Sequence, residues 1–428
     1  MRILIKNGLV IDPANNINST MDILVEAKRI VRVAKNIPNR DVEEVIDAAN
    51  KIVMPGLVDM HVHLREPGRE DKETIASGTR AALKGGVTSV LAMPNTQPAM
   101  DQAERVKALK EIIKKTAQAN VFICGAITKD RKGEELTRIV ALKKAGIVAI
   151  SDDGASVDNA SLMLVALKQA KRNKLLVIAH CEDKDLSAGG VMNLGAISTR
   201  MGLRGISKES EYKRVERDIH LAEKAHASIH IAHVSCKESI ELIARAKKHK
   251  ARVTAETCPH YFTFTEEALR DYNTNMKINP PLRSKEDLAA IKQGLKNGVI
   301  DIIASDHAPH TENEKDVEFE RAEFGSIGLE TLFSASATAL VHSGLIGWPE
   351  LVQKLTINPA KILGIDKGTL SVGKDADIAI IDPDKEWVLH EEEIVSGSHN
   401  SAFLGFKFKG WVEYTLCQGE VAYFSRQK

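Results

Sequence analysis

The sequence predicts an α/β protein: a (β/α)8 barrel, with one small β domain that the two ends of the chain build together. Three observations carry this. Strand-like segments broken by Asn-Gly, Pro and charged residues fill the first part of the chain, and similar segments return at its end. Between them, short β-branched apolar runs alternate with longer segments of helical period. The carboxyl ends of those runs carry polar residues, namely His61 and His63, Asn95, Asp152 and Asp153, His180, His233, and Asp306 with His310. A barrel presents its chemistry at that rim.

Taken in order, RILIKNGLVID, MDILVEAKRIVRVAKNI and DVEEVIDAANKIV read as strands and turns, giving an N-terminal β part over 1–53. The barrel strands start at Ile52, Thr88, Asn120, Gly146, Leu175, Ser228, Arg252 and Ile300. DQAERVKALKEIIKKTAQ, ASLMLVALKQAKRN and KESIELIARAKKHK are helix candidates between them, apolar at i, i+3/i+4. Near-continuous apolar strands alternating with amphipathic helices mean a parallel sheet covered by helices. Eight evenly recurring units favour closure into a barrel over 54–364 against an open doubly wound sheet. GTLSVGKDADIAIIDP, KEWVLH and FKGWVEYTLCQGEVAYF supply the C-terminal β part over 365–428. Two stretches stand outside this pattern. SAGGVMNLGAISTRMGLRGISKES, after His180, is Gly/Ser-rich and reads as poorly ordered. HTENEKDVEFERAEFG is densely charged and reads equally as a cover over the rim or as a solvated loop.

Composition excludes several functions. Among 428 residues, Lys+Arg total 59 against Asp+Glu 58, so no basic surplus exists for coating nucleic acid or an anionic membrane. Aromatics at 4% are too few for a base-stacking platform. No run approaches the roughly 20 apolar residues of a membrane helix, and the N-terminal stretch lacks the long apolar core of a signal peptide. Five cysteines are scattered without CxxC spacing, which fits a reducing compartment and a cytoplasmic protein.

His61 and His63 lie at i and i+2, on one strand face, so both imidazoles can reach one ion. Alone the pair is weak, since 14 histidines in 428 residues make about half an HxH expected by chance. His180 and His233 at two further strand ends, with a carboxylate at another, form a set that suits zinc. His220, His226, His230 and His249 read as surface or strand-flank residues, and Cys258 with His260 as structural. Of Asp152 and Asp153 only one can enter the site, and spacing does not choose between them. Asp306, beside His307 and His310, is a candidate general base that later serves as general acid.

These segments resemble the type I dihydroorotases of the amidohydrolase superfamily. The resemblance is carried by PGLVDMHVHLREPG, GGVTSVLAMPNTQP, SDDG, HCED, AHVS, INPPLR, ASDHAPH and FGSIGLET, together with the tail INPAKILGIDKGTLSVGKDADIAIID. It implies a metal-dependent barrel with a small β-sandwich from both termini, and reversible closure of N-carbamoyl-L-aspartate to L-dihydroorotate in pyrimidine synthesis. It further implies that His61, His63 and Asp153 bind one zinc and that Asp153 bridges to a second, held by His180 and His233. Asp306 would touch the metal and act as acid/base. His63, Arg65, Asn95, Asn279, His310 and the Phe324–Gly325 backbone would hold the substrate. Many superfamily relatives bridge their metals with a carboxylated lysine; here Asp153 takes that place, so occupancy of one or two zinc ions stays open.

Two alternatives stand beside this reading. A related cyclic amidase of the hydantoinase or allantoinase type would share the rim but have no need of Arg65. A non-catalytic homologue scaffolding aspartate transcarbamoylase would have lost metal ligands, which this chain retains. A complex with that enzyme and a homodimer are both compatible with the resemblance.

Overall fold

The computed structural model describes residues 1–425. At the N-terminus β1 (Arg2–Asp12) and β2 (Ile17–Glu26) form an antiparallel hairpin, which β3 (Arg29–Ala34) extends. β4 (Glu44–Asp47) and β5 (Ile52–Pro55) then lie parallel to successive parts of β1. The predicted run IVMPGLVDMHVHL divides at Gly56: β5 stays in the terminal sheet and β6 (Leu57–Val62) opens the barrel. Gly56 is required by close approach, because a Cβ there would lie 2.2 Å from Thr88 Oγ1.

The barrel continues through β7 (Val87–Ala92), β8 (Asn120–Ala126), β9 (Ala149–Ser151) and β10 (Leu176–Ala179). A small parallel pair, β11 (Met192–Asn193) and β12 (Gly205–Ile206), interrupts it before β13 (Ile229–Ile231), β14 (Val253–Thr257) and β15 (Ile302–Ile303). All eight barrel strands run in sequence order around the sheet, with parallel pairing at each junction. A parallel bridge from Val62 to His307 joins the last strand segment to the first, and His63 N–H donates to the His307 carbonyl at 2.9 Å. The predicted helices form over Ala103–Thr116, Ala160–Arg172 and Lys237–Lys248.

β16 (Ile378–Val388), β17 (Lys407–Cys417) and β18 (Glu420–Phe424) return the chain to the terminal sheet, with β16 antiparallel to β5. The stretches IAIIDP and KEWVLH, separate in the sequence reading, merge in β16, whose register shifts between Asp382 and Glu386. All eight terminal strands are linked in one continuous sheet. Its alternation serves two cores. Ile3, Ile5, Ile23, Val25, Val53, Ile378, Ile380 and Leu416 gather on one face as a core of their own. Ile52, Met54, Ala379, Ile381 and Val412 on the other face join the barrel core. β5 carries this sheet to Pro55, beyond the expected limit at 53, and residues between β16 and β17 pack on the barrel rim through Ser396, Ser398 and Asn400.

The Gly/Ser-rich stretch after His180 is not poorly ordered as expected. It contains β11, β12 and a helix over Ala196–Met201, and buried Arg283 donates to Asn193 Oδ1 (2.9 Å) and the Ile206 carbonyl (3.1 Å). Gly190 and Gly205 serve packing, since a Cβ on Gly190 would lie 2.5 Å from the Gly205 backbone.

Candidate active site

Every polar strand-end residue named above reaches the carboxyl rim, and six converge. His61 lies within β6, His63 just beyond it, Asp153 after β9, His180 after β10, His233 after β13 and Asp306 after β15. Asp153 Oδ1 stands 3.3 Å from His61 Nε2, 3.6 Å from His233 Nε2 and 3.7 Å from His180 Nδ1. Its Oδ2 is 3.4 Å from His63 Nε2. Asp306 Oδ1 lies 3.2 Å from His63 Nε2 and 3.5 Å from His61 Nε2. Arg65, His233 and Asp306 all hold positive φ, at 60°, 33° and 48°. Such backbone strain gathers where neighbouring structure overdetermines a functional geometry.

Asp152 turns the opposite way. Its Oδ1 accepts the backbone N–H of Ile127 (2.8 Å) and Thr128 (3.0 Å), and its other oxygen accepts the Thr128 hydroxyl. The choice that spacing left open is thus made by geometry: Asp152 ties β9 to the segment after β8, and Asp153 faces the cluster.

The cluster fits a cation. His61 Nε2 and Asp153 Oδ1 are buried and lack a hydrogen-bond partner, an expensive state for polar atoms inside a protein. His61, His63 and Asp306 form one group whose ligand atoms lie within 4.8 Å of one another, and His61, Asp153 and His233 form a second. Neutral imidazole and carboxylate suit zinc and its neighbours in the first transition row. Without a cation the charges answer one another. Burial opposes charge on His61, yet Asp153, Glu256 and Asp306 hold its imidazole well above its ordinary pKa. Burial likewise opposes ionisation of Asp153, but His61, His233 and His63 hold its carboxyl well below the usual range. Asp306 is lowered for the same reason, against its own burial, by His61 and His63.

Asn95 Oδ1 accepts from His63 Nδ1 at 2.8 Å, which leaves His63 Nε2 to face the two aspartates. Arg65 lies beside this pair. Its Nε donates to the Pro309 carbonyl at 3.1 Å, and among the described residues no carboxylate lies within 4.0 Å of its guanidinium. Burial lowers its pKa to about 10. Lys72 Nζ is 3.1 Å from His310 Nδ1, and His310 Nε2 is 2.9 Å from the Phe324 carbonyl. Burial, with Arg65, Lys72 and Lys315 around it, pushes His310 down to about 2, so the ring is neutral and accepts from Lys72, while its Nε2 faces both the Phe324 carbonyl and Arg65 Nη2, the latter at 3.2 Å.

Asn279 Nδ2 donates to Glu182 Oε2 at 3.1 Å, the same oxygen that receives His180 Nε2 at 3.2 Å. The Gly325 backbone is already satisfied: its N–H donates to the Lys277 carbonyl (2.8 Å), and its carbonyl accepts from Lys315 Nζ (3.0 Å) and Asn400 Nδ2 (3.1 Å). The charged segment before it is fastened in place. Lys277 Nζ donates to the carbonyls of Phe319 (2.9 Å), Glu320 (3.0 Å) and Ala322 (2.6 Å), and lies 4.5 Å from the centre of the Phe324 ring.

Sequence reasoning passed over His230 and Glu256, both fully buried. His230 is not a surface residue. It stands in the middle of β13, where an apolar run on both sides leaves it no solvent. A signal existed for Glu256, a charged residue inside the run RVTAETC, which can be buried only against partners. Cys258 and His260, set aside as structural, lie against Asp306 within the same 4.8 Å limit. Burial pushes the thiol well up and His260 down to about 4, so both are neutral.

Known proteins resemble this chain over nearly its whole length. The dihydroorotase of Elusimicrobium minutum (strain Pei191) is 53% identical over 421 residues, covering 98% of this chain and 97% of that protein. The chain belongs to the dihydroorotase family. The dihydroorotase of Acetivibrio thermocellus is 50% identical over 418 residues, 98% of each chain. The family described as dihydro-orotase-like matches residues 50–239, from the end of the first β part to α-helical residues after β13. Among solved structures, the L-hydantoinase (dihydropyrimidinase) of Arthrobacter aurescens superimposes with a TM-score of 0.89 at 24% identity, over 98% of this chain and 95% of its own, a likeness of fold. The dihydropyrimidinase of Brevibacillus agri NCHU1002 gives 0.87 at 26%, over the same shares. The similarity to dihydroorotases expected from HVHLREPG, MPNT and SDHAPH therefore extends over nearly the whole chain, and the barrel expected from alternating strands and helices forms from β6 to β15. Among the described residues no helix is long and apolar enough to cross a membrane.

Proposed function

We propose that the protein is a zinc-dependent dihydroorotase that interconverts N-carbamoyl-L-aspartate and L-dihydroorotate, with one or two ions per chain. Arg65 carries the choice of substrate. A half-buried guanidinium with, among the described residues, no carboxylate within 4.0 Å is a charge that a ligand anion would satisfy. The substrate carboxylate is that anion, whereas a hydantoin ring offers none.

His61, His63, Asp153 and Asp306 would hold one ion, and His180 and His233, across Asp153, a second. A bound divalent ion would polarise the ring carbonyl and lower the pKa of water toward about 7. The chain's own groups do the rest. Arg65 receives the substrate carboxylate, and Asn95, Asn279 and His310 line the place where the ring would sit. In ring opening, Asp306 accepts a proton from the attacking water and delivers it to the ring nitrogen as the C–N bond breaks. In closure the open carboxylate must first take up a proton from solvent; Asp306 then accepts the ureido N–H proton as the C–N bond forms and passes it to the departing hydroxyl, which leaves as water. Its lowered pKa keeps it ionised at neutral pH, ready to accept first.

The test is removal of metal by chelation, and Asp306→Asn, each assayed in both directions. Interconversion falls to background in both and returns with zinc only in the wild type. An unchanged rate in either case overturns the reading.

A further inference from the structure

Glu256 has no part in the mechanism above, yet it is a fully buried acid at the centre of the rim. Its Oε1 lies 2.5 Å from His61 Nδ1 and 3.4 Å from the backbone N of His233, and its Oε2 lies 3.0 Å from His230 Nε2. His230 Nδ1 is in turn 2.8 Å from Thr254 Oγ1. Among the described residues no lysine or arginine reaches within 4.0 Å of the Glu256 carboxylate; only imidazoles do.

Accounting for hydrogen bonds leaves one arrangement. A carboxylate only accepts, so His61 Nδ1 and His230 Nε2 both carry hydrogen. A neutral His230 then accepts at Nδ1, and the Thr254 hydroxyl is the donor facing it. With Nδ1–H committed to Glu256, Nε2 is the His61 nitrogen left to face a cation, 3.3 Å from Asp153 and 3.5 Å from Asp306. The chain Thr254, His230, Glu256, His61 thus runs across β14, β13 and β6 and ends on a donor atom that lacks a partner.

We propose that Glu256, backed by His230, is a positioning residue: it fixes the Nδ1–H tautomer and ring plane of His61, so that Nε2 is offered to the metal. This rests on the metal-dependent reading of the site. Carboxylate partners of this kind raise the basicity of a ligating imidazole, and their loss typically weakens metal affinity by about 10- to 100-fold.

The experiment compares wild type, Glu256→Gln and Glu256→Asp. Zinc affinity is measured by chelator competition, the metal-free melting temperature is recorded, and the His61 Nδ1–H resonance is followed in the zinc-loaded protein. Glu256→Gln keeps the shape and one acceptor but loses the charge. It is expected to hold zinc about 10- to 100-fold more weakly, to melt metal-free close to wild type, and to shift or lose the Nδ1–H resonance. Glu256→Asp, with the charge restored on a shorter arm, is expected to recover part of the affinity. Zinc affinity and resonance equal to wild type in Glu256→Gln overturn the proposal. A wild type that holds no metal overturns the underlying reading instead, so the two failures are distinct. Should Glu256→Gln fail to fold, His230→Gln carries the same comparison: weakened zinc retention supports the relay, and unchanged retention refutes it.

Discussion

Asp152 and Asp153 are adjacent, both buried, and predicted to fail in opposite ways when replaced. Asp152→Ala strands the backbone N–H groups of Ile127 and Thr128 and the Thr128 hydroxyl, all of which now donate to one carboxylate. Each buried donor left unpaired costs about 1–3 kcal/mol, and because the three share one neighbourhood a total of about 3–5 kcal/mol is expected rather than a full sum. Asp153→Ala removes a carboxylate whose Oδ1 accepts no hydrogen bond and whose partners are imidazoles able to shed their protons. Its cost to the metal-free protein is expected to be smaller by at least about 2 kcal/mol, while zinc binding collapses. Urea unfolding of metal-free protein, with metal counted per chain after reloading, separates the two. A metal-free Asp153→Ala less stable than Asp152→Ala would refute the reasoning, as would an Asp152→Ala that folds normally but loses zinc.

Three further outcomes follow from the same geometry. Arg65→Ala is expected to lower kcat/KM for dihydroorotate by about 30-fold or more, since losing one partner of a desolvated charge pair costs about 2–5 kcal/mol; near-normal steady-state kinetics would remove the carboxylate role. Gly325→Ala, at φ 142° with a new Cβ 2.8 Å from Ala308 Cβ and 3.1 Å from His310 Cδ2, combines backbone strain with overpacking. A loss of about 2–4 kcal/mol in a denaturant melt is expected, and an unchanged midpoint would refute it. Lys315, which burial and the nearby Lys277 push down to about 7, is neutral in the folded protein over a range where the unfolded chain keeps it charged. Stability from this group is therefore least below pH 7 and rises as pH climbs toward the ordinary lysine value near 10. Lys315→Met, which cannot titrate, should fall further behind wild type at pH 9.5 than at pH 7 in urea melts. A deficit that shrinks with pH would refute the assignment.

Much of this site was legible because strand ends in a barrel must converge. His61, His63, His180, His233 and Asp306 needed only the alternation of runs and the rule that chemistry sits at their carboxyl ends. What stayed hidden depended on contacts between distant strands. Neither sequence neighbour of Glu256 reveals that β6 will bring His61 to its carboxylate. The glycines of the stretch after His180 look identical whether they loosen a loop or let Gly190 and Gly205 touch. The fold of the Asp152–Asp153 pair was open for a simpler reason: consecutive side chains differ by half a period, and the phase of a three-residue strand such as β9 is set by its neighbours.

The terminal sheet also sets a clock on synthesis. β5 finds β16 as its antiparallel neighbour only after about 320 further residues have been made, which at 5–20 residues per second is roughly 16–65 s. For that interval the edge of β5 is an unsatisfied row of amides and carbonyls beside apolar Ile52, Val53 and Met54. Most barrel strands meet no such delay, since each pairs with the next barrel strand made, and only the closing bridge from Val62 to His307 waits for the end of the barrel. A ribosome stalled before Ile378 would release a chain whose centre can assemble but whose first strands are sticky. Expression yield should therefore depend on how quickly the three quarters of the message between β5 and β16 are read, or on a chaperone that shelters the opening strands until they are.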